Sequence, residues 1–170
     1  MDRSLLEVND LTKIYGEAAK KQQKQVVALQ HFNAVISGTV PKIITIAGES
    51  GSGKTTLANM ILGFVKPSSG AILYKGQDVA SFDTNEMLTY RREVQAVFQD
   101  PYSVYNPYYC VEHIFDIAMH NFKITDDKQE KRDLIEDALN LVGLKGEDVL
   151  RNYPHQLSGG QLQRIMIARA

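Results

Sequence analysis

Two short stretches of this sequence could do chemistry, and both are rich in glycine. Gly48-Glu49-Ser50-Gly51-Ser52-Gly53-Lys54-Thr55 satisfies G-x-x-x-x-G-K-[ST] at every fixed position. That pattern is a phosphate-binding loop, the P-loop. Its glycines reach torsions closed to other residues and let a phosphate approach the backbone with no Cβ in the way. The amides from about Gly51 to Thr56 are expected to turn inward, backed by the dipole of a helix that starts near Lys54. The Lys54 ammonium is expected on the β and γ phosphates of a nucleotide, and the Thr55 hydroxyl on Mg²⁺. A plain Gly/Ser linker is the competing reading. The apolar run before the loop and the helical pattern after it argue against a linker.

The second stretch is Leu157-Ser158-Gly159-Gly160-Gln161. Ser158 to Gln161 has the S-x-x-Q form of a capping box, which would start any helix. Capping explains Ser158 and Gln161 but not the glycines between them, each of which costs about 1 kcal/mol against alanine inside a helix. Two glycines in a first turn suggest that something approaches the backbone closely, and a helix start with bare amides suits an anion.

The elements that position these stretches follow from periodicity. Leu5 to Val8, Val26 to Ile36 and Ala71 to Tyr74 carry short apolar and β-branched runs, read as a small, mostly antiparallel sheet. Between the first two, the polar and mostly basic Glu17 to Gln25 reads as a solvated loop. Lys42 to Ala47, KIITIA, suits a strand buried on both faces. From Lys54, Leu57, Met60, Ile61 and Phe64 recur at helical spacing until Pro67. Val94 to Phe98 reads as another strand and Gln99 to Pro107 as a loop. Helices are expected over Val111 to Phe122, over Asp126 to Leu144 with Leu134, Ile135, Ala138, Leu141 and Val142 on one face, and from near Ser158 onward.

Composition narrows the partners. With 170 residues the chain suits one domain, or one core with a small lobe. A 44% hydrophobic and 23% charged chain with net charge −1 is globular, with no basic excess for sequence-independent nucleic-acid binding. Cys110 is the only cysteine, so no internal disulfide forms and a reducing compartment is expected. The mixed N-terminus is no signal peptide, and no run of about 18 apolar residues offers a membrane span.

LSGGQ followed by LQRIMIARA resembles the signature motif of the ATP-binding cassette (ABC) family, and with the P-loop the resemblance extends over nearly the whole chain. VFQDPYSVYNP and YPHQLSGGQLQR are especially similar to the ATPase subunits of oligopeptide, dipeptide and nickel importers. The resemblance implies an α/β fold: an incomplete P-loop NTPase core with an N-terminal antiparallel β subdomain over residues 1–100, and an α-helical signature subdomain over 101–170. It implies ATP and Mg²⁺ as cofactors, with Gly48 to Thr56 on the phosphates, Lys54 and Gln99 in catalysis, and Thr55 and Gln99 at the metal. Tyr15 would stack on adenine. Ser158, Gly159, Gly160 and Gln161 would meet ATP held by a second cassette in a head-to-tail dimer. The loop after Gln99 would meet transmembrane permease subunits, fed by a substrate-binding protein, at the cytoplasmic face of the membrane.

The sequence departs from the family's pattern at its end. The Asp that supports Mg²⁺, the Glu that activates water and the switch histidine come after ARA in the family, so the chain is expected to be the first two thirds of a cassette, slow or inactive in hydrolysis. Lys42 to Ala47 would then lack partner strands and make the chain prone to aggregate. Glu136-Asp137 and Asp100 do not replace the missing carboxylates, and His31, His113, His120 and His155 lack metal-ligand spacing. A small P-loop kinase would accept Lys54-Thr55-Thr56 but gives no reason for LSGGQ. A GTPase would need an absent N-K-x-D reader. A non-hydrolysing ATP-binding fragment remains the third class.

Overall fold

The computed structural model describes residues 4–16, 25–38 and 40–170. They belong to two compact units, Met1–Arg91 and Arg92–Ala170. All of the expected polar loop except Gln25 lies outside the described residues.

The first unit is built on the expected antiparallel sheet, with strands β1 (Ser4–Tyr15), β2 (Val26–Ser37), β3 (Ser69–Tyr74) and β4 (Gln77–Asp78) in the order β2-β1-β3-β4. The short apolar runs prove to be parts of two twelve-residue strands, because bulges let β1 and β2 continue through polar positions. Asp10 and His31, both at positive φ, sit at two successive irregularities and are joined by a 2.6 Å hydrogen bond between Oδ1 and Nδ1. Leu6, Val8, Leu11 and Ile72 bury one side of this sheet.

Helix α1 (Lys54–Ile61) starts where the pattern places it but stops well before Pro67. Gly63 takes φ 72 just past its last turn, the left-handed conformation that closes a helix. Leu57 and Met60 are buried, while Phe64 is exposed.

Helix α2 (Thr84–Glu93) has no strong apolar period and was not expected. Its signal is the cap: Asp83 Oδ1 accepts from the Asn85 and Glu86 amides at 2.8 Å, and Glu86 Oε2 accepts from the Asp83 amide at 2.9 Å. Tyr90 anchors it by donating to the Ile61 carbonyl and lying edge-on to Tyr74 and Phe82. Burial, and then Tyr74, push the Tyr90 hydroxyl up to about 12.

Two expected strands do not form. Residues 41–49 have no regular secondary structure, and Ile43 is 99% exposed, with Ile44 and Ile46 about half exposed. A parallel-sheet strand needs a hydrogen-bonding neighbour at each edge, and among the described residues none lies beside this run. Val94 to Phe98 is likewise coil. Its backbone groups bond to side chains of a helix rather than to a strand.

The second unit holds α3 (Glu112–Asn121), α4 (Lys128–Leu141), α5 (Gly146–Val149) and α6 (Gly159–Arg169) around a core of Val111, Phe115, Ile135, Leu139, Leu162 and Ile165 with their neighbours. The apolar stripe of α4 is rotated from expectation. Ile135 and Leu139 face the core, whereas Leu134 is 40% and Leu141 89% exposed. Asp127 caps α4 through the Gln129 and Glu130 amides, and Gly143, at φ 70, follows its end. Glu136 accepts from the Gly146 amide at 3.1 Å and so pins α5.

Candidate functional site

The P-loop connects the exposed run to α1, and its shape follows from its glycines. Gly51 (φ 84) and Gly53 (φ 89) adopt left-handed torsions. At Gly53 the constraint is double, since a Cβ there would stand 2.2 Å from the Ala28 carbonyl oxygen of β2. Side chains are therefore excluded by torsion and by space.

The loop curls around the Lys54 ammonium. Nζ donates to the Gly48 carbonyl at 2.8 Å, the Glu49 carbonyl at 2.6 Å and Ser52 Oγ at 3.3 Å. Not every amide points inward as expected, because the Ser52 amide closes a turn onto the Glu49 carbonyl at 3.2 Å. The first intrahelical bond runs from the Leu57 amide to the Gly53 carbonyl. The amides of Lys54, Thr55 and Thr56 thus belong to the helix start, with no intrahelical acceptor. No side chain caps Gly53, and the Thr55 side chain is exposed in the first turn. One cation, backbone donors and an exposed hydroxyl converge on a few residues, a donor set that fits a polyphosphate with its divalent cation.

Tyr15 ends β1, 42% exposed, with the Lys13 ammonium 5.1 Å from its ring centre. It belongs to the same unit as the P-loop. Gln99 and residues 158–161 belong to the other unit. Gln99 is exposed in the loop that follows residues 94–98.

Ser158 to Gln161 forms the capping box that its pattern allows. Ser158 Oγ accepts from the Gln161 amide at 3.2 Å, and Gln161 Oε1 accepts from the Ser158 amide at 2.9 Å. The glycines are a separate matter. A Cβ on Gly160 would meet nothing within 4 Å, and one on Gly159 would meet only the Tyr102 ring at 3.7 Å. Packing within this unit does not demand them. Arg164, one turn on, donates to the Val142 and Gly143 carbonyls at 3.2 Å and ties the end of α4 to α6. Its role was not legible in the sequence, because the acceptors are carbonyls some twenty positions away.

A sequence model described as ABC transporter matches residues 35–170. The chain belongs to the ABC transporter family. Among curated ABC relatives, it is 38% identical to the oligopeptide transport ATP-binding protein OppF of Streptococcus pyogenes, over 100% of this chain and 53% of that protein. It is 36% identical to the oligopeptide transport ATP-binding protein AmiF of Streptococcus pneumoniae, over 100% and 53%. The chain spans about half the length of these relatives. Solved ABC structures share the fold. For cbiO1 of Clostridium perfringens, part of the ABC transporter complex cbiONQ, the TM-score is 0.72 at 27% identity, covering 98% of this chain and 61% of that one. For the dimeric cassette MJ0796 bound to ADP and Pi it is 0.70 at 25% identity, covering 96% and 68%. The α/β P-loop fold with an antiparallel β region and a helical region is thereby established for this ABC chain.

Proposed function

We propose that this chain is the ATP-binding part of an importer ATPase that powers uptake of peptides or a comparable small solute. The observation that carries the reading is the complete P-loop folded around Lys54. In use, Lys54 would exchange loop carbonyls for β and γ phosphate oxygens, Gly48 to Thr56 would line the triphosphate, and Thr55 with Gln99 would help to hold Mg²⁺. Tyr15 offers an exposed ring to adenine.

The open face of Gly159 and Gly160 supports a head-to-tail pair of cassettes. Bare backbone at a helix start that no neighbour in its own unit requires is suited to ATP held by another subunit. Residues 1–100 would serve as P-loop core and β subdomain, and 101–170 as the signature lobe. No described helix is long and apolar enough to cross a membrane. Attachment at the cytoplasmic face would run through permease subunits, as the family resemblance implies. Similarity to OppF and AmiF supports the peptide assignment.

A polypeptide of these 170 residues is expected to bind ATP with little or no turnover, because transition-state stabilisation depends on positioned charge and its sequence shows no carboxylate matched to water activation. Calorimetry with Mg²⁺-ATP tests the reading. Lys54→Ala is expected to lose at least about tenfold in affinity, since a charge-assisted bond is worth roughly 1.5–3 kcal/mol. Equal binding by wild type and variant would sink the assignment.

A further inference from the structure

Residues 96–98 lie outside any strand, yet side chains of α6 hold their backbone. The Phe98 carbonyl accepts from Gln163 Nε2 at 3.1 Å, and the Phe98 amide donates to Met166 Sδ at 3.1 Å. The Ala96 carbonyl accepts from Arg169 Nη2 at 3.5 Å. The three partners recur every third residue and so share one stripe of the helix. Beyond Gln99, the Tyr102 hydroxyl donates to the Leu157 carbonyl at 3.2 Å, and the buried Tyr105 hydroxyl to the Leu162 carbonyl at 2.8 Å. Gln99 is therefore bracketed by bonds to the segment that carries Ser158 to Gln161.

From this bracket we infer that Gln163 is a positioning residue that holds Gln99 in register with the Ser158–Gln161 turn. Of the three contacts before Gln99, a thioether is a weak acceptor and 3.5 Å is long for an N–H donor, so the Gln163 amide supplies the directional restraint. Gln163 also lies two residues after Gln161 on the same helix. A shift of the helix start is passed through one side chain to the carbonyl next to Gln99. The motif that faces the chain's own nucleotide and the motif that faces its partner's then move as one body. The inference rests on the functional reading above, which gives Gln99 its place at Mg²⁺.

The test uses Gln163→Met, close in size but without the donor, and Gln163→Lys, which restores one. Amide hydrogen exchange at Phe98, whose own amide is bonded to Met166 Sδ beside the Gln163 contact, is expected to rise roughly 2- to 12-fold in Gln163→Met, the equilibrium worth of one net hydrogen bond. In Gln163→Lys it should return toward wild type. In calorimetry with Mg²⁺-ATP, Gln99→Ala and Gln163→Met should each weaken binding, and the double variant should be no weaker than Gln99→Ala alone, because both act through one group. Unchanged exchange in Gln163→Met overturns the tether, and losses that multiply overturn its route through Gln99. If Gln163→Met does not fold, Gln163→Lys decides: exchange near wild type supports the tether and raised exchange overturns it. Failure of the wild type to bind Mg²⁺-ATP sinks the functional reading, and the positioning role with it, whatever the exchange shows.

Discussion

Residues 42–47 and helix α6 both carry isoleucines and both adjoin a glycine-rich motif, yet Ile43 and Ile165 end in opposite environments. The first run precedes the P-loop as exposed coil, with Ile43 99% accessible. The second follows the Ser158 cap and buries Leu162, Ile165 and Met166 almost completely. The difference lies in how each element satisfies its backbone. A helix closes its own hydrogen bonds and needs only an apolar surface to lie on, whereas a strand needs neighbours at its edges before its side chains can be covered. The two motifs are accordingly supported in different ways. The P-loop takes its shape from glycine torsions and the helix behind it, and the Ser158–Gln161 turn takes its place from a packed core.

Four substitutions or conditions would break or sharpen this contrast. The largest stability loss is expected from Ile165→Ala, about 2–5 kcal/mol by denaturant unfolding, because a fully buried side chain leaves a cavity in the helical core. A loss under about 1 kcal/mol would show that α6 is not the support described here.

Gly53→Ala should cost about 1–3 kcal/mol in the first unit and weaken Mg²⁺-ATP binding, since the alanine would occupy φ 89 against the Ala28 carbonyl. Undiminished affinity would mean that the loop reshapes freely and that its glycines do not define it.

A smaller effect is expected at high pH. Burial raises the Tyr105 hydroxyl to about 12, against a modest opposing pull from Arg169. A group whose folded pKa exceeds its unfolded value near 10 stabilises the fold fully below that value and loses the contribution as pH rises toward 12. Stability of the helical unit should therefore fall across that window, tracked by tyrosinate absorbance and circular dichroism. Tyr105→Phe should remove this unit's share and leave the share of Tyr90 in the first unit.

The smallest effect belongs to Ile43→Ser, expected within about ±0.5 kcal/mol because an exposed side chain has little to lose. The same change should reduce light scattering on concentration if the exposed run drives association. A large loss of stability would instead mean that the run is covered in solution, and the contrast drawn above would fail.

Local rules made much of this legible from residues alone. The P-loop pattern placed a turn and a helix start at Lys54, S-x-x-Q placed a cap at Ser158, and the apolar runs placed three antiparallel strands. The turn and the cap depend on torsions and hydrogen bonds within a few residues, so their information lies in the local sequence, whereas the strands were legible as apolar runs although their pairing joins residues as distant as Leu6 and Tyr74. Helix α2 was legible in principle through Asp83 and Glu86, but its weak apolar period hid it.

What only the tertiary structure decided is where partners come from. Lys42 to Ala47 and Val94 to Phe98 have strand-like composition, but composition does not supply the neighbouring strands. The rotation of α4, which buries Leu139 and exposes Leu141, depends on which neighbour it packs against. The bonds from Gln163 to Phe98 and from Arg164 to Val142 join residues 65 and 22 positions apart. Side-chain amides and guanidinium groups can reach any carbonyl brought within hydrogen-bond distance, and chain folding alone determines which carbonyl that is.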